Sequence, residues 1–139
     1  MRKLLLISLI AVSFVQAQEL NPQMSGYVNE LKEQAKRENQ NFQEFDYARG
    51  ESVFTKEQVG KRGVLISCAT CHTNDLSKNG LNEQTNKVIE PLSPNANPSR
   101  FTKVKKVEKW LRRNFKDVYD REGSAREKGD VITYVINKK

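Results

Sequence analysis

The chain has two cysteines and one histidine, and all three fall within five residues, Cys68-Ala69-Thr70-Cys71-His72. Two thiols three positions apart reach the two vinyl groups on one edge of a porphyrin. An imidazole placed directly after them is then held under the iron as a proximal axial ligand. The pattern C-x-x-C-H is the attachment signature of a c-type haem. A thiol-disulfide redox pair would leave His72 without a reason and lacks a βαβ context. A zinc site would have to finish its ligand set with carboxylates, because the chain offers no further Cys or His. A structural disulfide would close so small a loop that little stability is gained. One covalent haem c on Cys68 and Cys71, with His72 on the iron, is the expectation.

The N-terminus indicates where this chemistry takes place. Arg2 and Lys3 are followed by an apolar run from Leu4 to Val15, broken only by Ser8 and Ser13, and Val15-Gln16-Ala17 offers small residues at a cleavage site. That run is short of the ~20 residues a bilayer span requires, so residues 1–17 read as a secretory signal peptide. An uncleaved anchor is the alternative. Residues 18–139 then read as a single domain, with an N-terminal helix in 18–44 and a haem-binding core in 45–139. The protein is expected to be periplasmic and without a stable membrane span once the signal is removed. Cleavage lowers the net charge of +7 by two, and with 37% apolar residues counted over the full sequence the mature chain is lean for its core. So lean a chain gains core from a large apolar plate.

Periodicity predicts helices joined by loops. Residues 22–39 place Met24, Tyr27, Val28, Leu31 and Ala35 on one stripe. Residues 46–58 form a second candidate, beside Phe45, Tyr47, Val53 and Phe54. The cysteine motif opens a short helix after Val64-Leu65-Ile66. Residues 73–100 are polar and punctuated by Pro91, Pro94 and Pro98, so they read as an ordered loop. Residues 103–115 and 126–137 complete the set, the last with Val131, Ile132, Val135 and Ile136 inward.

A six-coordinate haem needs a second axial ligand, usually Met or His from well after the motif. Met24 is the last methionine, and no second histidine exists. In 103–115, Val107, Trp110, Leu111 and Asn114 share a face by spacing. Asn114 thus projects from the apolar side, either as a ligand or as a core amide bonded to backbone. Lys105, Lys106 and Lys109 are also possible ligands, but they fall toward the charged face. Arg100 and Trp110 are candidates for bonding a haem propionate.

Residues 46–139 resemble the sphaeroides haem protein (SHP) family of class I cytochromes c. The resemblance rests on Asp46-Tyr47-Ala48-Arg49-Gly50 with Phe54, on Ser67-Cys68-Ala69-Thr70-Cys71-His72, on Pro91-Leu92-Ser93-Pro94 with Pro98-Ser99-Arg100-Phe101-Thr102, and on Val107-Glu108-Lys109-Trp110-Leu111-Arg112-Arg113-Asn114. It implies an all-α class I cytochrome c fold with helices packed around one haem. It also implies that Asn114 is the distal ligand of ferric iron and leaves on reduction, opening a site for oxygen, nitric oxide or a similar molecule. Electron transfer alone, transient oxygen binding, and turnover of nitric oxide or peroxide are all compatible. A plain electron carrier with a permanently filled sixth site is the alternative. The expected partners are a redox cytochrome, of di-haem or membrane b type, and a diatomic ligand. Nucleic acid is not expected for an exported protein. The basic run from Arg100 to Lys116 reads as a solvated face or as a dock for an acidic redox partner. The family's disulfide after the asparagine has no counterpart, since Phe115 and Gly123 stand at those positions. A more mobile loop over 116–125 is the expected consequence.

Overall fold

The computed structural model describes residues 19–138, so the expected signal peptide lies outside the described residues. Helix α1 runs Pro22–Glu38, α2 Tyr47–Thr55, α3 Cys68–His72, α4 Val104–Tyr119 and α5 Ala125–Asn137. Every helix except α4 begins at a side-chain cap. The Asn21 side chain accepts from the Met24 amide, with Pro22 in the first turn, where its missing N–H costs nothing. Asp46 accepts from the Arg49 amide. Ser67 and Thr70, and again Ser124 and Glu127, form reciprocal capping boxes.

The helices pack through the expected stripes. Met24, Tyr27, Leu31 and Ala35 of α1 join Phe54, Val107, Leu111, Phe115, Val131, Ile132, Tyr134 and Val135 in one buried cluster. Helix α1 lies against α5 and α4, tied at one end by Asn21 Nδ2 donating to the Thr102 carbonyl at 3.0 Å. The Asp46–Gly50 segment supplies the contact between α2 and α5. Tyr47 packs on Tyr134 at 5.2 Å between ring centroids, and Arg49 grips Asp130. Gly50 lets the backbones meet, because a β-carbon there would lie 2.0 Å from the Asp130 carbonyl oxygen.

The structure departs from the helix-and-loop expectation in two places. Strands β1 (Gln58–Val59) and β2 (Leu65–Ile66) pair as one antiparallel ribbon. Strands β3 (Gly80–Asn82) and β4 (Lys87–Ile89) pair as another, inside the stretch expected to be loop. Both ribbons are only two or three residues per strand, too short for alternation to register. Asn82 makes the second turn: its side chain accepts from the Gln84 and Thr85 amides, and Asn86 adopts φ 54°. Helix α4 also runs a turn beyond 115, since Val118 continues its buried stripe.

Candidate functional site

Helix α3 is a single turn, and its end is forced. Thr73 follows His72 at φ 65°, a region β-branched residues rarely enter, and its hydroxyl donates to the Asp75 carbonyl at 2.7 Å. The turn presents Cys68, Cys71 and His72 together to a cavity of about 650 Å³. That size suits a large cofactor. Apolar walls come from Phe54, Ile66, Leu92, Phe101, Val107, Leu111, Val131, Ile132 and Val135, contributed by α2, α4 and α5, by strand β2 and by the loop before α4. Asn114 lines the same cavity from α4 and is half-buried. The four residues expected at the metal and the thioethers are thus gathered around one space.

The electrostatics suit a ligand rather than a titrating switch. Burial pushes the His72 imidazole down to about 4, with the Arg100 charge adding to the effect. The ring is therefore held neutral, the form in which it binds metal. Burial raises the Cys68 thiol to about 12, with Cys71 contributing. A thiol-disulfide centre needs the opposite, a thiol lowered toward neutral pH. Among the described residues no three His, Cys, Asp or Glu side chains converge as a metal-binding group, so a zinc centre lacks a ligand set. Behind His72 the Phe54 ring stands at 6.1 Å and Tyr134 beyond it at 5.3 Å, fixing the proximal side by packing.

Some placements differ from the sequence reading. Trp110 is not buried with Val107 and Leu111. It is 42% exposed at the cavity edge, with the Arg113 guanidinium 5.5 Å from its ring centroid. The indole lies on the flank of the stripe, where the Arg113 side chain covers it. Lys106 lines the cavity with Lys103, rather than lying wholly on the charged face as Lys105 and Lys109 do. Arg100 also lines it, fixed by donating from Nε to the Pro91 carbonyl at 2.8 Å and from Nη2 to the Glu90 carbonyl at 2.6 Å. The β3–β4 ribbon closes one wall through Asn82, Lys87, Val88 and Ile89. Only the pair of asparagines, Asn82 and Asn86, signalled that turn in the sequence.

Residues 40–135 match the family model described as Domain of unknown function (DUF1924). Cytochrome c-type protein SHP of Cereibacter sphaeroides is 40% identical over 90 residues, 65% of this chain and 69% of that protein. The structure of oxidised SHP, described as an oxygen binding cytochrome c, superposes with a TM-score of 0.70 at 33% identity, covering 81% of this chain and 94% of that one. Cytochrome c'' of Methylophilus methylotrophus is 34% identical over 89 residues, which is 64% of this chain and 62% of that protein. The chain therefore spans less than two thirds of that relative in sequence. The solution structure of cytochrome c'', concerned with haem-ligand detachment, gives a TM-score of 0.72 at 29% identity, covering 82% of this chain and 92% of that one. With its helices around a haem-sized cavity and its sequence matched across that core, the chain belongs to the DUF1924 family and to the SHP family of mono-haem c-type cytochromes.

Proposed function

We propose that the protein is an exported, periplasmic cytochrome that accepts an electron from a partner and then takes up a small ligand where Asn114 had been. Cys68 and Cys71 would hold the haem by thioethers, and His72 would be its lasting protein ligand. When bound, the haem would supply an iron that changes oxidation state and can take a small molecule. Asn114 would be the second protein ligand in the oxidised form. Its amide oxygen is a weak donor, favoured by ferric charge and less by ferrous, so it would be given up on reduction, leaving room for oxygen, nitric oxide or a similar molecule. Val107 and Leu111 keep that side apolar, and Arg100, already braced on two carbonyls, is the better placed of the two propionate candidates.

One observation carries this reading: Asn114 lies on the wall of the cavity that holds His72, in a chain with no methionine or second histidine after the motif. The oxygen binding of SHP and the ligand detachment of cytochrome c'' support it by analogy. The net positive charge of the chain suits attraction of an acidic redox partner, of di-haem or membrane b type.

Optical and mass measurements on the mature protein test it. The denatured mass should exceed that of the polypeptide by one haem. The ferric form should be six-coordinate and low-spin, and the ferrous form should bind carbon monoxide. Asn114→Ala should turn the ferric spectrum high-spin while the protein stays folded. A ferric Asn114→Ala spectrum identical to wild type would assign the sixth position to another group and remove the gating step.

A further inference from the structure

The β1–β2 ribbon has two faces with opposite duties. Gln58 pairs with Ile66 and Val59 with Leu65, so the second pair points away from the first. Ile66 is 6% exposed and forms part of the cavity wall. Val59 and Leu65, opposed on the outer face, are each 66% exposed, and Val64 beside them is 50% exposed. Three neighbouring aliphatic side chains left in water on one ribbon gain nothing for folding. Only two residues, Ile66 and Ser67, separate this surface from Cys68 along the chain.

The ribbon is also held and charged in a particular way. Its turn donates from the Lys61 amide to the Asp117 carbonyl of α4 at 3.1 Å, which fixes the ribbon to the helix bearing Asn114. Arg62 reaches the Gln84 amide oxygen of the other ribbon at 3.2 and 3.3 Å, once that amide is turned toward it. Lys61 and Arg62 are exposed, and among the described residues neither pairs with a carboxylate. The outer surface is therefore a small apolar centre with two cations at its tip.

We propose that this outer surface, Val59 and Leu65 with Val64, Lys61 and Arg62 at the adjoining turn, is where the electron-donating protein docks. The inference rests on the electron-accepting reading above and names its entry point. The occupant is an acidic redox protein with carboxylates around an apolar centre. A second copy of this chain is disfavoured because both copies would carry the same strong positive charge. A small apolar centre with a charged rim suits a brief encounter, in which attraction sets the approach and little area is buried. Docking here brings the partner's cofactor to the side of the ribbon opposite Ile66, whose own side chain is part of the cavity wall.

Stopped-flow reduction of the ferric holoprotein by reduced flavodoxin, an acidic flavoprotein used as the probe, tests this. The wild-type rate constant should fall as salt is raised. Val59→Ser/Leu65→Ser and Lys61→Glu/Arg62→Glu should each slow reduction by about tenfold, while Lys105→Glu/Lys109→Glu on the outer side of α4 should change it by less than about threefold. Reduction by ascorbate should be the same in all of them, which shows that the haem itself is unaltered. Ribbon variants as fast as wild type, or an α4 variant slower than both, would overturn the proposal. So would wild-type binding to anionic vesicles that the ribbon variants lose without any change in flavodoxin rates. Failure of the underlying reading shows separately, as a wild-type ferrous spectrum unchanged by carbon monoxide.

Discussion

The Phe115 ring lies against Gly123, so close that a β-carbon on the glycine would come within 2.8 Å of three ring atoms. These are the two positions where the family's disulfide has no counterpart here. An aromatic-on-glycine contact ties α4 to the start of α5 in its place, with Phe115 4% exposed. Ion pairs reinforce the segment between them: Lys116 with Asp120, Lys128 with Glu122, and Arg121 with Glu127. These contacts lie in the segment expected to be looser for want of the two cysteines, next to Asn114.

Gly123→Ala should therefore cost about 1–3 kcal/mol by overpacking, since the buried ring has nowhere to turn. Thermal unfolding of the holoprotein should fall by several degrees. Because residue 115 follows Asn114 directly, the ferric spectrum should also shift toward high-spin. A melting temperature equal to wild type would show that the ring yields freely.

Arg49 and Asp130 should respond unequally to mutation. Asp130 is 1% exposed and accepts from Arg49 Nε at 2.8 Å, from Arg49 Nη2 at 3.0 Å and from the Asp46 amide at 2.7 Å. Arg49 is half in solvent. Arg49→Ala strands a buried carboxylate and should cost about 3 kcal/mol, whereas Asp130→Asn keeps the amide bond and frees an arginine to water, costing about 1–2 kcal/mol. Denaturant melts of the two variants decide the order, and equal losses would contradict it.

The Arg121 hydrogen bond holds the Glu127 carboxyl below the usual carboxylate range, with its capping bonds to Ser124 adding to that. A lowered folded value means the unfolded chain binds the proton first. The contribution is present above the ordinary carboxylate range and is lost as pH falls through the folded value. Glu127→Gln should cost about 1 kcal/mol near neutral pH, and the gap from wild type should close on acidification below the carboxylate range. Melts across that window check it, and a constant gap would place the Glu127 effect in packing.

Much of this architecture can be read in the sequence because it is carried by local rules. The stripe Met24, Tyr27, Leu31, Ala35 acts within a few residues, and so does the haem motif. The Asp46–Gly50 run was recognisable as a family mark, but its physical reason needed the fold. Arg49 and Gly50 serve a partner 80 positions away in α5. The ribbons were illegible for a different reason. Val59 and Leu65 look like core residues in sequence, and only the register reveals that they face water. Trp110 misled similarly, because spacing places it on the stripe while its bulk sits at the rim.

Gly80 sets how closely β3 seats on the cysteine turn. A β-carbon there would lie 2.0 Å from the Cys71 carbonyl oxygen and 3.0 Å from the His72 α-carbon. Both of those atoms are backbone, so neither can rotate away, and the strand or the turn must move. The β3–β4 ribbon is a wall of the cavity, so displacement loosens the packing around the haem while leaving Cys68, Cys71 and His72 intact. Gly80→Ala should still yield covalently attached haem by mass. Its ferric Soret band should shift and its thermal stability drop by about 1–3 kcal/mol, in line with overpacking elsewhere. Gly80→Val should lower the yield of haem-bearing protein severalfold, since attachment needs the turn seated against its ribbon. A Gly80→Ala protein with wild-type spectrum and melting temperature would mean that β3 is free to slide, and that the cavity wall does not depend on this contact.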